Sequence, residues 1–178
     1  MVRLLPGDPP APTLALVAAV ALHEVASAWA PDAELIVKWP NDLLAGGAKI
    51  SGILLERIDD AVIIGFGVNL AASPTLADRP TTSFAAVTGC APGAEPFLEV
   101  LADAFARWLG RWRSEGVGAI RRRWLAVAHP PGTALSTTDA DGVRIAGLFD
   151  GLDESGALRL RLADGATRII HAGDIFLI

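Results

Sequence analysis

From Thr13 to Trp29 nearly every residue is apolar, and the apolar positions do not keep to one side of a helical projection. His23, Glu24 and Ser27 form a thin polar edge. An amphipathic helix can rest on a surface, but one that is apolar all round has to be enclosed. This stretch therefore calls for a sheet to bury it. Pro12 precedes it, Thr13 is placed to cap it, and Pro31 closes it.

The same region imitates a secretory signal, with Arg3, the run Leu14 to Leu22, and Ala26-Ser27-Ala28 in the position of a cleavage site. Asp8 and four prolines (Pro6, Pro9, Pro10, Pro12) interrupt the imitation, and the run is short for a membrane span. The expectation is a core helix, a cytoplasmic location and no membrane partner.

Residues 34 to 70 supply the sheet. Glu34 to Trp39 reads as a strand that Pro40 ends; Lys49 to Glu56 and Ala61 to Leu70 read as two more. Gly46-Gly47 and Asp59-Asp60 mark turns, so the three strands suggest an antiparallel meander. Residues 71 to 95 are loop-rich. Pro96 to Arg113 is helical, with Phe97, Leu98, Leu101, Phe105, Trp108, Leu109 and Trp112 on one broad face. After Gly116 and Gly118 a second helix runs to about Val127. Pro130-Pro131-Gly132 separates a larger unit, 1–130, from a smaller one, 131–178. In the smaller unit short strands alternate with turns at 139–142, 153–156 and 164–165, the pattern of a small barrel of about five strands. The fold class is α/β (α+β), with a mainly antiparallel sheet.

Several functions are disfavoured. A net charge of −5 argues against nucleic-acid binding, and Arg121-Arg122-Arg123 fits a solvated helix face. The single cysteine, Cys90, excludes an internal disulfide and a multi-cysteine metal site, and His23, His129 and His171 lack the spacing of metal ligands, so no cysteine or histidine metal site is expected.

The polar chemistry is concentrated in one place. The chain has two lysines, Lys38 and Lys49, and uses arginine at every other basic position. Arginine is a planar fork, whereas lysine is a point charge on a flexible stem that meets carboxylates and phosphates from any direction. Pro40 stops the first strand, so Asn41 and Asp42 are expected to leave it and project into a cleft. Lys49, about six residues on, would return to that exit. An amide, a carboxylate and an ammonium then share a pocket suited to activating an acid through a phosphate-bearing intermediate. Lys49 would hold the substrate carboxylate and stabilise charge at phosphorus. Asp42 would take a proton from an incoming amine or help position a metal. Gly65 and Gly67 sit inside a strand, where glycine marks a close backbone approach, and would let a nucleotide lie against it beside Asn69.

Three ordered motifs, Lys38-Trp39-Pro40-Asn41-Asp42, Lys49-Ile50-Ser51-Gly52-Ile53-Leu54-Leu55-Glu56 and Gly65-Phe66-Gly67-Val68-Asn69, closely resemble the biotin protein ligase family. The resemblance runs from about residue 13 to the end. It implies a catalytic domain shared with lipoate ligases and an SH3-like C-terminal domain. It also implies a two-step reaction, in which biotin and Mg2+-ATP give biotinyl-5′-adenylate and the acyl group then passes to a lysine of a biotin carboxyl carrier domain. Residue by residue it assigns Lys49 to the carboxylate and adenylate, Lys38, Trp39, Asn41 and Asp42 to the strand-end motif, Gly52 to a backbone position beside biotin, and Asn69 to the adenine. One departure stands out: the family's Gly/Arg-rich loop, expected ahead of the first helix, is not matched here. The expectation is half of a site, from a shortened reading frame. Two other functions are weighed: a lipoate- or octanoate-type acyl–protein ligase, and a non-catalytic relative that binds carrier domains. Edge strands of the meander would allow a homodimer.

Overall fold

The computed structural model describes residues 1–77, 79–138 and 143–178. A 3-10 turn at Ala11–Thr13 leads into α1 (Leu14–Trp29). Together they form a stretch, Ala11–Trp29, that is long and apolar enough to cross a membrane, unlike the shorter run Leu14 to Leu22 on its own, but most of it is buried inside the molecule. Thr13 does not cap α1 with its side chain. Its hydroxyl donates to the Pro10 carbonyl and accepts from the Trp112 indole N–H at 2.8 Å.

The first sheet contains β1 (Val2–Arg3), β2 (Leu35–Lys38), β3 (Asp42–Ala45), β4 (Ala48–Ile58) and β5 (Ala61–Val68), in the order β1-β5-β4-β3-β2 and antiparallel throughout. The expected meander therefore contains one more strand than the sequence suggested. β3 is four residues long and buried, and Gly46 and Gly47, with φ of +55° and +81°, form the two-residue turn that joins it to β4. Positive φ at both central residues is the geometry that matches strand twist, which glycine reaches without steric cost.

α1 packs across β2, β3 and β4 and is covered in turn by α3 (Ala94–Glu115) and α4 (Val117–Leu125). This double cover explains why it is apolar on every side. Between β5 and α3 lies α2 (Phe84–Thr88), a short helix that the loop-rich composition hid; the Ser83 hydroxyl accepts from the Ala86 N–H at its start and Gly89 ends it at φ +78°. On α3 the expected apolar face holds for Phe97, Leu101, Trp108 and Trp112, but Leu98 is 63% exposed. Arg122 is exposed and Arg121 and Arg123 half-buried along α4.

The second sheet comes after Pro130-Pro131-Gly132. It comprises β6 (Ala134–Thr138), β7 (Arg144–Leu152), β8 (Leu158–Arg161), β9 (Thr167–Ile170) and β10 (Ile175–Leu177), in the antiparallel order β10-β6-β7-β8-β9. The turn expected at 139–142 lies outside the described residues. The two sheets meet through the Trp39 indole, which donates to the Gly156 carbonyl, and through Ile175, which is buried in the common core.

Candidate active site

Strand register builds the site. Lys38 stands opposite Asp42, Asp42 opposite Gly52, and Gly52 opposite Gly67, so four neighbouring strands contribute one residue each to a single row across the sheet. The next row pairs Leu54 with Gly65. Alternation places these positions on the face away from α1, while Val37, Leu43, Ile53 and Val62 turn inward to the core.

Lys49 reaches that face because of an irregularity. Leu43 pairs with Ser51 but Leu44 pairs with Lys49, so Ile50 is an extra residue in β4. Ile50 and Ser51 are both buried although adjacent. A bulge of this kind re-aims the residues beyond it. Without it, simple alternation would put Lys49 on the same side as Ser51, in the core. With it, the Lys49 ammonium lies 2.5 Å from Asp42 Oδ1.

Asp42 is 3% exposed and surrounded by cations: Lys49 on one oxygen, and Lys38 Nζ and an Arg79 nitrogen each 3.8 Å from the other. This corrects the expected picture of Asp42 as a residue leaving its strand. It opens β3 and is fixed by the ladder and by charge. Burial, the largest influence, pushes the Lys38 ammonium below the ordinary lysine range against the opposing pull of Asp42. Gly52 makes room for the pair, since a Cβ there would sit 3.0 Å from Lys49 Nζ and 3.5 Å from Asp42 Oδ1.

The remaining positions divide. Asn41 is held by exchange with Ile53: its Nδ2 donates to the Ile53 carbonyl at 2.6 Å and its carbonyl accepts from the Ile53 N–H at 2.9 Å. Asn41, Lys49, Gly52, Gly65 and Gly67 together line an open recess of about 460 Å³. Asn69 is a brace: its Nδ2 donates to Thr82 O at 2.9 Å and, at 3.5 Å, to Lys49 O. This ties the segment Pro80–Thr82 alongside Lys49, whose N–H donates to Pro80 O and whose carbonyl accepts from the Thr82 N–H. Trp39 does not join the cluster. Its buried ring lies at the junction of the sheets, facing a separate cleft lined also by Pro12, Leu16, Gly156 and His171.

Sequence reasoning missed Arg79, Asp174 and Phe176. A second recess, of about 290 Å³, brings Lys38, Asp42, Lys49 and Arg79 together with Ile175, Phe176 and Leu177 of β10. Nothing local marks a C-terminal strand 127 positions beyond Lys49 as a wall of the same site; only the docking of the second sheet makes it one.

The chain matches the Biotin/lipoate A/B protein ligase family over residues 9–69 and the Biotin protein ligase C terminal domain over 139–178. The Paracoccus denitrificans biotin–[acetyl-CoA-carboxylase] ligase is 40% identical, the alignment covering 92% of this chain and 72% of that protein. A Mycobacterium tuberculosis protein of the same name is 31% identical, over 82% of this chain and 54% of its own length. Among solved structures, the apo biotin protein ligase of Aquifex aeolicus shares the fold at a TM-score of 0.82 and 19% identity, covering 93% of this chain and 75% of that one. The same Aquifex enzyme in complex with biotin and ATP aligns at a TM-score of 0.80, with 21% identity, over 93% of this chain and 71% of that one. With a bulge-directed lysine, a buried aspartate and a glycine-paved strip on a fold shared with these ligases, and with a 40% identical relative most of whose length it spans, the chain belongs to the biotin–[acetyl-CoA-carboxylase] ligase family.

Proposed function

We propose that the protein is a biotin–protein ligase. In the first step a biotin carboxylate oxygen attacks the α-phosphorus of ATP; the bond to pyrophosphate breaks and biotinyl-5′-adenylate forms. In the second, the amine of a lysine on a biotin carboxyl carrier domain attacks the acyl carbon, loses a proton and releases AMP. Residues 1–130 are read as the catalytic domain and 131–178 as an SH3-like barrel docked on it. A cytoplasmic location is the reading that goes with Leu14–Trp29 as a core helix instead of a leader.

The observation that carries the proposal is the Lys49 ammonium, held 2.5 Å from Asp42 beside the open strip of Gly52, Gly65 and Gly67. A flexible cation there can meet the acid's carboxylate and then track its charge onto the phosphate, stabilising the transition state more than the ground state. Asp42 already has both oxygens against cations, so it has the geometry of a positioning group for Lys49 instead of a proton acceptor. The glycines let a flat ligand approach the strand backbone, since a Cβ at 65 or 67 would stand above the strip.

Mg2+ fits as a companion of the triphosphate. Among the described residues no group of three His, Cys, Asp or Glu side chains would hold it alone, in keeping with a metal carried mainly by phosphates and water. Its contribution when bound is to neutralise charge on the leaving pyrophosphate.

The test is biotin-dependent pyrophosphate release from ATP by this chain, and then label transfer to an apo carrier domain. Activity with octanoate or lipoate and none with biotin would move the protein to the other acyl–protein ligases. Carrier binding without AMP formation would make it a non-catalytic relative.

A further inference from the structure

Three cations surround Asp42, and two of them, Lys38 and Arg79, also meet side chains at the start of the last strand of the second sheet. Arg79 is drawn toward Asp174, whose Oδ2 accepts from a guanidinium N–H at 3.1 Å, closer than the 3.8 Å to Asp42. The Phe176 ring faces both Lys38 and Arg79, its centroid 5.9 Å from Lys38 Nζ and 6.0 Å from the Arg79 guanidinium carbon. An aromatic face attracts a cation held over it.

The segment 173–177 that presents these side chains is itself anchored. Ile175, between them, is buried; the Thr137 hydroxyl donates to the Asp174 carbonyl at 2.8 Å; and Gly173 turns at φ +132°, a conformation open to glycine, with the Thr137 hydroxyl 3.2 Å from where a Cβ would be.

We propose that Asp174 and Phe176 are positioning residues for Lys49. They hold Arg79 and Lys38 back from Asp42, so that the carboxylate keeps Lys49 on the Gly52 face. With either contact removed, the pull of Asp42 on Arg79 and Lys38, which already approach one of its oxygens at 3.8 Å, would be less opposed, and the share of the carboxylate left to Lys49 would fall. The docking of the second sheet then sets the charge arrangement on the first. The consequence for catalysis rests on the ligase reading above; the positioning does not.

The two-lysine composition makes the test direct. Protein carrying 13Cε-lysine gives two side-chain NMR signals, from Lys38 and Lys49. Asp174→Asn and Phe176→Leu are expected to move the Lys49 signal, although neither residue is its immediate neighbour, and to lower kcat/KM for adenylation roughly three- to thirtyfold, the range of a lost cation–π or charge-assisted contact. Phe176→Tyr, which keeps the ring face, should restore both readouts; a merely structural role for bulk would be met equally by leucine. A Lys49 signal at its wild-type position in both Asp174→Asn and Phe176→Leu, with far-UV circular dichroism unchanged, overturns the proposal. If wild-type protein forms no biotinyl adenylate the ligase reading falls, and the lysine signals still decide the positioning.

Discussion

The two faces of the first sheet are made by the same strands and have opposite characters. Toward α1 the strands present Val37, Leu43, Ile53 and Val62, all within the apolar core. Away from it they present Lys38, Asp42, Gly52 and Gly67 in one row, with Leu54, 61% exposed, beside Gly65. A period of two assigns stability to one side and chemistry to the other. Only the extra residue at Ile50 breaks the period, and it does so where the lysine has to change sides. A sheet can therefore carry a charged site without weakening its core, provided that changes on one face are not felt on the other.

That separation can be broken by substitution. Lys49→Ala should lower adenylation by roughly a hundredfold or more, the loss typical of removing a preorganised charge at a reacting centre, while the urea midpoint stays near wild type. Lys49→Arg should recover little of it, since a planar fork does not fit where a point charge lies 3.0 Å from a Cβ position on Gly52. A large drop in stability with Lys49→Ala would mean that the charged face supports the fold.

The converse change is Ile53→Ala, one residue from Gly52 but on the core side. It should cost about 2–5 kcal/mol of unfolding free energy, as large-to-small changes in cores do, with kcat per folded molecule preserved. Denaturant titration alongside initial rates separates the two quantities.

Gly52→Ala sharpens the comparison on the site side. The added methyl meets the flexible end of Lys49, which shifts by a few tenths of an ångström, so folding should be nearly unaffected. Displacing the ammonium should cost roughly tenfold in kcat/KM, in line with the sensitivity of reacting groups to small misplacement. Gly67→Ala, whose Cβ would have 3.7 Å to the Gly52 carbonyl, should weaken ATP binding without moving Lys49.

The smallest effect belongs to the covered side and to pH. Burial lowers the proton affinity of His23, which lies 3.3 Å from the Leu35 carbonyl, and of His129, where Lys38 adds to it. The unfolded chain takes up these protons as pH falls through about 6.5, before the folded chain does. The contribution to stability is therefore present above that pH and lost as pH falls through the lower folded values. Urea midpoints at pH 7.5 and pH 5 should show the decline, and His23→Gln should reduce it. An unchanged slope in His23→Gln would remove that residue from the acid response.

Much of the site was legible because its chemistry lies within one short stretch. Lys38, Asn41, Asp42 and Lys49 stood out by residue type, and the register brings all four to the β2–β4 end of the sheet. Trp39, assigned through the motif, sits apart from these four: its N–H has found a partner in Gly156 across the chain, and it lines a separate cleft. β3 was hidden because the five residues between Pro40 and Gly46 look like a loop until a neighbour supplies hydrogen bonds on each side.

The sequence by itself determined that α1 must be enclosed, that Gly46-Gly47 must turn, and that a lone pair of lysines flanks an amide and a carboxylate. These are consequences of local composition and backbone freedom. Tertiary structure alone decided which side of the sheet Lys49 occupies and that Asp174 and Phe176 stand over Arg79 and Lys38. The first depends on one unpaired residue in a ladder and the second on two sheets docking, and neither leaves a mark at short range along the chain.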